Sequence, residues 1–128
     1  MFSPQMRARH WREAVIDLLK EKDLKLSLAE SLTGGMIAQR IVNVSGASEV
    51  FGYGFVTYSN KAKHKCLGVK KRTLKEQGAV SAKCAREMAK GACKASGADI
   101  SISVTGLAGP GGGTKGNSGW YCIYGLLL

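Results

Sequence analysis

Residues 25–44 read KLSLAESLTGGMIAQRIVNV, and two periodicities meet inside them. Lys25 to Leu28 reads as a short strand. After Thr33-Gly34-Gly35 a helix is expected to about Val44, with Ile37, Ile41 and Val44 on one face. A strand that passes through a glycine turn into a helix is the building unit of layered α/β proteins. Working outward, the alternation continues on both sides. Upstream, Ser3-Pro4 offers a capping hydroxyl followed by proline, and Trp11, Val15, Leu18 and Leu19 recur at helical spacing. Downstream, residues 45–48 form a turn and Val50 to Tyr58 is strand-like. Asn60 to Leu67 is expected as a helix stopped by Gly68, and Ser81 caps a helix to about Ser96. The latter has an apolar face of Ala85, Met88, Ala89 and Ala92 and closes at Gly97. Ile100 to Thr105 alternates as a strand, Gly106 to Gly119 is a glycine-rich loop, and Trp120 to Leu128 is a final apolar run. No internal repeat or interdomain linker interrupts the pattern.

At 128 residues the chain suits one domain, 1–128, with a single three-layer core. Its 45% hydrophobic and 22% charged content is that of an ordinary soluble globular protein. No apolar run approaches the length of a bilayer span, so no membrane association is expected. The Met-Phe-Ser-Pro-Gln start lacks the layout of a secretory signal, and the expected compartment is the cytoplasm. Cys66, Cys84, Cys93 and Cys122 form no C-x-x-C pair, and Cys84 and Cys93 fall on opposite faces of their helix. They read as free thiols, and with His10 and His64 isolated no metal site is expected. The net charge of +10 is uneven, with seven of the 19 basic residues between Lys61 and Lys75. No aromatics interleave there to stack bases, so nucleic acid is not the expected partner. The preferred reading is a solvated face with one or two lysines turned toward a phosphate.

Three junctions carry candidate chemistry. Ala29-Glu30-Ser31-Leu32-Thr33-Gly34-Gly35 lies where a strand ends and a helix begins, a common ligand position in α/β sheets. Unpaired backbone N–H groups there favour an anion, either a phosphate or the oxyanion of acyl transfer. On spacing alone, the favoured reading is that Ser31 or Thr33 is only a helix N-cap. At Tyr58-Ser59-Asn60-Lys61-Ala62-Lys63 a strand again meets a helix; Lys61 and Lys65 share one side and Lys63 points the other way. A lysine turned inward can lose its proton through burial and serve as a general base for a nearby serine, but on this stretch alone a surface lysine cluster is the favoured reading. The third junction, Val104 to Gly113, ends a strand in glycines that would form a backbone-lined rim. It has no P-loop or dinucleotide-fold spacing.

Taken together and in order, AESLTGG, GFVTYSNKAK, LGV, GAVS and SVTGLAGPGGGT resemble the motifs of the CinA C-terminal domain family, the bacterial nicotinamide-nucleotide amidohydrolases. The resemblance runs from about the first helix to Thr114. It implies a three-layer α/β/α sandwich around a central mixed sheet. It also implies a serine–lysine dyad at the matching positions Ser31 and Lys63, with Tyr58 placed to orient it. Glu30, Thr33, Gly34, Gly35, Asn60, Thr105, Gly106, Ala108 and Gly109 are the implied substrate contacts, with backbone amides near Thr105 and Gly106 holding substrate or oxyanion. The implied substrate is a small nucleotide, nicotinamide mononucleotide, converted to nicotinate mononucleotide and ammonia without metal or cofactor. A homo-oligomer is compatible with this.

The pattern departs at residues 117–128, where the family continues with a Lys-Pro-Val-Gly-Thr-Val-like strand, another strand and a closing helix. Back-translation in a frame moved by one base permits Pro-Val-Gly-Thr-Val, so a frameshift just before Asn117 is expected, with the last strand and closing helix lacking. Resequencing that locus tests it; an in-frame read with no family-like continuation in the shifted frame rules it out. The expectation is an intact dyad on a destabilised scaffold with weak or absent activity. The alternatives are an inactive remnant or non-catalytic binding module of the same family, and, from the charge, a nucleic-acid-associated protein.

Overall fold

The computed structural model describes residues 10–107 and 121–127, with four strands in one sheet ordered β2-β1-β3-β4. β1 (Leu26–Glu30) is buried at all five positions, as a central strand covered on both faces must be. It pairs in parallel with β2 (Phe51–Val56) on one side and β3 (Ile100–Leu107) on the other. β4 (Tyr121–Leu127) runs antiparallel beside β3, so the sheet is mixed.

Side-chain alternation along β1 feeds two separate cores. Leu26 and Leu28 pack with Ile16 and Leu19 of α1 (Trp11–Glu21) and Ile41 of α2 (Met36–Val42). Ala29 faces the opposite way, against Leu67 of α3 (Asn60–Leu67) and Cys84, Met88 and Ala92 of α5 (Ala82–Ser96). The result is the three-layer α/β/α arrangement. Among the described residues α5 is the last helix and β4 the last strand, and no helix is long and apolar enough to cross a membrane.

Two glycines set how closely these layers approach. A Cβ at Gly91, in the middle of α5, would overlap the Leu67 carbonyl at the end of α3. One at Gly125 of β4 would overlap Ser103 Oγ and the Ala85 carbonyl. Only glycine permits either contact.

Several boundaries differ from the sequence reading. β1 runs on to Glu30, so the motif's carboxylate belongs to the strand rather than to the turn. β2 is shorter at both ends, and α2 stops at Val42, although Val44 still packs on the first core. Trp11 is half exposed at 52%, and the inward face of α1 is Ala14, Ile16 and Leu19. Gly106 and Leu107 continue β3 instead of opening a loop, because β4 pairs with them. A short helix, α4 (Lys71–Glu76), was not anticipated. The Ser3-Pro4 start and most of the glycine loop, with Ala108 and Gly109, lie outside the described residues.

Candidate active site

Ser31 is the first residue beyond β1. Its N–H donates to the Val104 carbonyl at 3.1 Å, which extends the β1–β3 pairing by one step and fixes the serine at the carboxyl edge of the sheet. The side chain is buried. The chain then turns through Gly34 and Gly35, at φ 60° and 103°, a left-handed region that side chains with a Cβ avoid. α2 starts directly afterwards.

The amides at that helix start are not free for an outside anion. Glu30 accepts from the N–H groups of Gly35 (3.2 Å) and Ile37 (3.0 Å) through one carboxylate oxygen and from Ala38 (2.9 Å) through the other. The carboxylate is 1% exposed and acts as an internal anion on the helix end. Gly35 rather than Ser31 or Thr33 is therefore the N-cap, and the Glu30 carboxylate satisfies the N–H groups of Gly35, Ile37 and Ala38.

α3 is positioned by Ser59, whose Oγ accepts from the Ala62 N–H at 3.0 Å, and it ends at Gly68 in the left-handed conformation. Its spacing turns Lys61 and Lys65 outward and Lys63 inward, where the side chain is 1% exposed. Lys63 Nζ lies 2.9 Å from Ser31 Oγ, 2.9 Å from the Thr57 carbonyl and 3.1 Å from the Tyr58 carbonyl. Burial lowers its pKa, because a desolvated ammonium is disfavoured, and the nearby Cys84 offsets this in part. Burial in turn pushes the Cys84 thiol up, which favours its neutral form. Nζ thus has three oxygen partners, the Ser31 hydroxyl and the two main-chain carbonyls, which match the three N–H donors of a lysine ammonium.

Tyr58 reaches the lysine through its main chain, while its phenol ring is 72% exposed. A backbone contact was not foreseen, nor was the matching one from Thr57; the strand-end position of both was the available signal. Two hydroxyls, Thr33 Oγ1 and Thr57 Oγ1, are buried without a partner among the described residues, which is rare enough to mark the locality. Thr105 is buried, and its hydroxyl donates to the Ala79 carbonyl at 2.8 Å. Its side chain therefore ties β3 to the turn before α5. Gly106 sits beside it in β3, paired with Cys122. Asn60 is exposed and lines a groove between α3 and α4. No three of the described His, Cys, Asp and Glu side chains converge as metal ligands would.

A family profile described as the CinA C-terminal domain matches residues 8–124, a span that takes in part of the stretch expected to depart from the pattern. A protein of Caldicellulosiruptor bescii named for competence-damage induction is 60% identical over 103 residues, covering 80% of this chain and 25% of its own length. A CinA-like protein of Chloroherpeton thalassium is 54% identical over 103 residues. The chain thus spans about a quarter of the length of these curated relatives, 25% and 24%. Among solved structures, the competence/damage inducible protein CihA of Agrobacterium tumefaciens superposes with a TM-score of 0.82 at 37% identity, covering 90% of this chain and 76% of its own. A CinA superfamily protein of Escherichia coli gives 0.83 at 32%, covering 99% and 80%. The chain belongs to the CinA C-terminal domain family.

Proposed function

We propose that this chain hydrolyses the carboxamide of nicotinamide mononucleotide, with Ser31 as nucleophile and Lys63 as general base. The observation that carries the reading is the buried 2.9 Å contact between Lys63 Nζ and Ser31 Oγ. A serine hydroxyl needs an adjacent proton acceptor to become a useful nucleophile. A lysine serves only if it is neutral, which its burial favours. A solvent-exposed Lys63 or a distant Ser31 would favour a non-catalytic module; the burial of Lys63 and its 2.9 Å contact with Ser31 support the catalytic reading.

In the first half-reaction Lys63 takes the Ser31 proton while Oγ bonds to the carboxamide carbon. The resulting ammonium then protonates the amide nitrogen, the C–N bond breaks and ammonia leaves. In the second, Lys63 takes a proton from water as the hydroxyl attacks the acyl-serine. The C–Oγ bond breaks, Ser31 recovers its proton and nicotinate mononucleotide departs. The cationic pyridinium ring beside the site disfavours a second positive charge and helps keep Lys63 neutral. The unpartnered Thr33 hydroxyl, two residues from the nucleophile, is a donor available to the oxyanion. The exposed Tyr58 ring is suited to covering the pyridinium face.

Ammonia release from nicotinamide mononucleotide by the chain and by its Ser31→Ala variant tests this. Turnover that the substitution abolishes is the expected result. Folded protein with no turnover in either form, or equal turnover in both, overturns it.

A further inference from the structure

The chain's charge is concentrated on one side of the sheet. Residues 60–96 hold eleven of the nineteen basic side chains, the buried Lys63 among them, and only two of the nine acidic ones, Glu76 and Glu87, so this stretch accounts for nine of the ten formal net charges. Between α3 and α4 lies an open groove of about 660 Å³, within the size range of small-ligand sites. Lys61 and Lys65 stand on the α3 wall, Lys71 and Lys75 on the α4 wall, with Leu74 and His64 between them. Among the described residues none of these four ammonium groups has a carboxylate within salt-bridge distance; the described acid of α4, Glu76, is taken by Arg72 at 3.2 Å. The His64 Nδ1 is fixed on the Val69 carbonyl at 2.8 Å, so that nitrogen donates and the ring is held in place.

A second basic groove of about 460 Å³ offers an internal comparison. It is bordered by Lys83, Arg86, Lys90 and Lys94 of α5, but Glu87 lies inside it. That carboxylate is anchored by the Thr73 hydroxyl at 2.7 Å and the Lys70 N–H at 2.9 Å. Its charge opposes an incoming anion, whereas the lining of the α3–α4 groove contains no acid.

We propose that the α3–α4 groove binds a short oligophosphate chain, held by Lys61 and Lys65 from one wall and Lys71 and Lys75 from the other. Four like charges on a concave surface repel one another and focus a positive potential, which an anion relieves. Each lysine pair is one helical turn apart, about 6 Å along its axis, so the charges are spread rather than gathered on a point. A single phosphate would meet only part of this array, while two or three linked phosphates can meet both walls. Lysines bind phosphate as point charges and need no fixed fork geometry. The chemistry is shared by free oligophosphate and the tail of a nucleoside triphosphate. Residues 59–97 contain no Phe, Tyr or Trp, so the phosphates are the recognised part. The site stands whether or not Ser31 turns over an amide.

Titration calorimetry of the full chain with sodium tripolyphosphate at low salt should show saturable 1:1 binding that weakens as salt is added. Lys71→Glu with Lys75→Glu should reduce affinity about tenfold or more, since each reversal replaces an attraction by a repulsion. Lys90→Glu with Lys94→Glu makes the same change in net charge in the second groove and should cost about twofold or less. ATP binding more tightly than tripolyphosphate would identify a nucleotide as the source, and weaker ATP binding free oligophosphate; both uphold the site. Three results overturn it: no saturable binding, equal losses in both double variants, or binding of a short DNA duplex that tripolyphosphate does not displace. Circular dichroism of each variant separates lost binding from lost folding.

Discussion

Lys63 is surrounded by three oxygen atoms and, among the described residues, hydrogen-bonds to no carboxylate, and this sets how it responds to pH. Its pKa is lowered in the folded chain, while in the unfolded chain it returns to the ordinary lysine value of about 10.4. Between those two values the unfolded state binds more protons, so stability rises with pH across the window. Urea midpoints of the wild-type chain, measured from neutral pH upward, should therefore climb relative to those of Lys63→Met; parallel curves would show that the amine is not desolvated. Glu30 makes a different demand. Both its oxygens accept from backbone amides, and Glu30→Gln would set an NH2 group against an N–H. The expected loss is about 1.5–3 kcal/mol by urea unfolding, the range for hydrogen bonds to a charged group. A loss within error would mean that the carboxylate is dispensable to the turn.

At the scale of elements, α3 and α5 were readable from sequence almost to the residue because their stop signals are local. Ser59 and Ser81 cap through their own hydroxyls, and Gly68 and Gly97 close in the left-handed conformation. Helical spacing separated Lys63 from Lys61 and Lys65, but by itself it favoured a surface cluster; that Lys63 is the buried one came only with the family resemblance. α4 was not readable, because six residues of mixed charge show no periodicity. Nor was the role of Glu30, whose partners are five to eight residues ahead across a turn whose shape the sequence does not print. The close approach of α3 and α5 was also hidden, although it rests on Gly91. A helical glycine replaced by alanine normally gains about 1 kcal/mol. Here the added Cβ meets the Leu67 carbonyl, so Gly91→Ala should instead cost about 1–3 kcal/mol, as overpacking does. Because Leu67 ends the helix that carries Lys63, turnover should fall with it. A stabilised variant in thermal unfolding would contradict this packing.

For the whole molecule the dominant feature is charge polarity. Residues 60–96 account for nine of the ten formal net charges, and the mutual repulsion of the exposed ones opposes the folded state. Raising ionic strength from about 0.01 M to about 0.15 M shortens the screening length from about 30 Å to about 8 Å. The melting temperature should rise over that range, and Lys71→Glu with Lys75→Glu should flatten the rise; a melting temperature that falls with salt would show that attractive pairs dominate. The main-chain grip on Lys63 has a different kind of consequence. The carbonyls of Thr57 and Tyr58 are supplied by any amino acid at those positions. Mutation at 58 can therefore exchange the exposed ring for another side chain without loosening the amine behind it. The hold on the amine comes from the main chain, which every amino acid shares, and the adjacent side chain is free to drift. Substitution at this position can thus reshape the surface beside Ser31 and Lys63 while leaving their support unchanged.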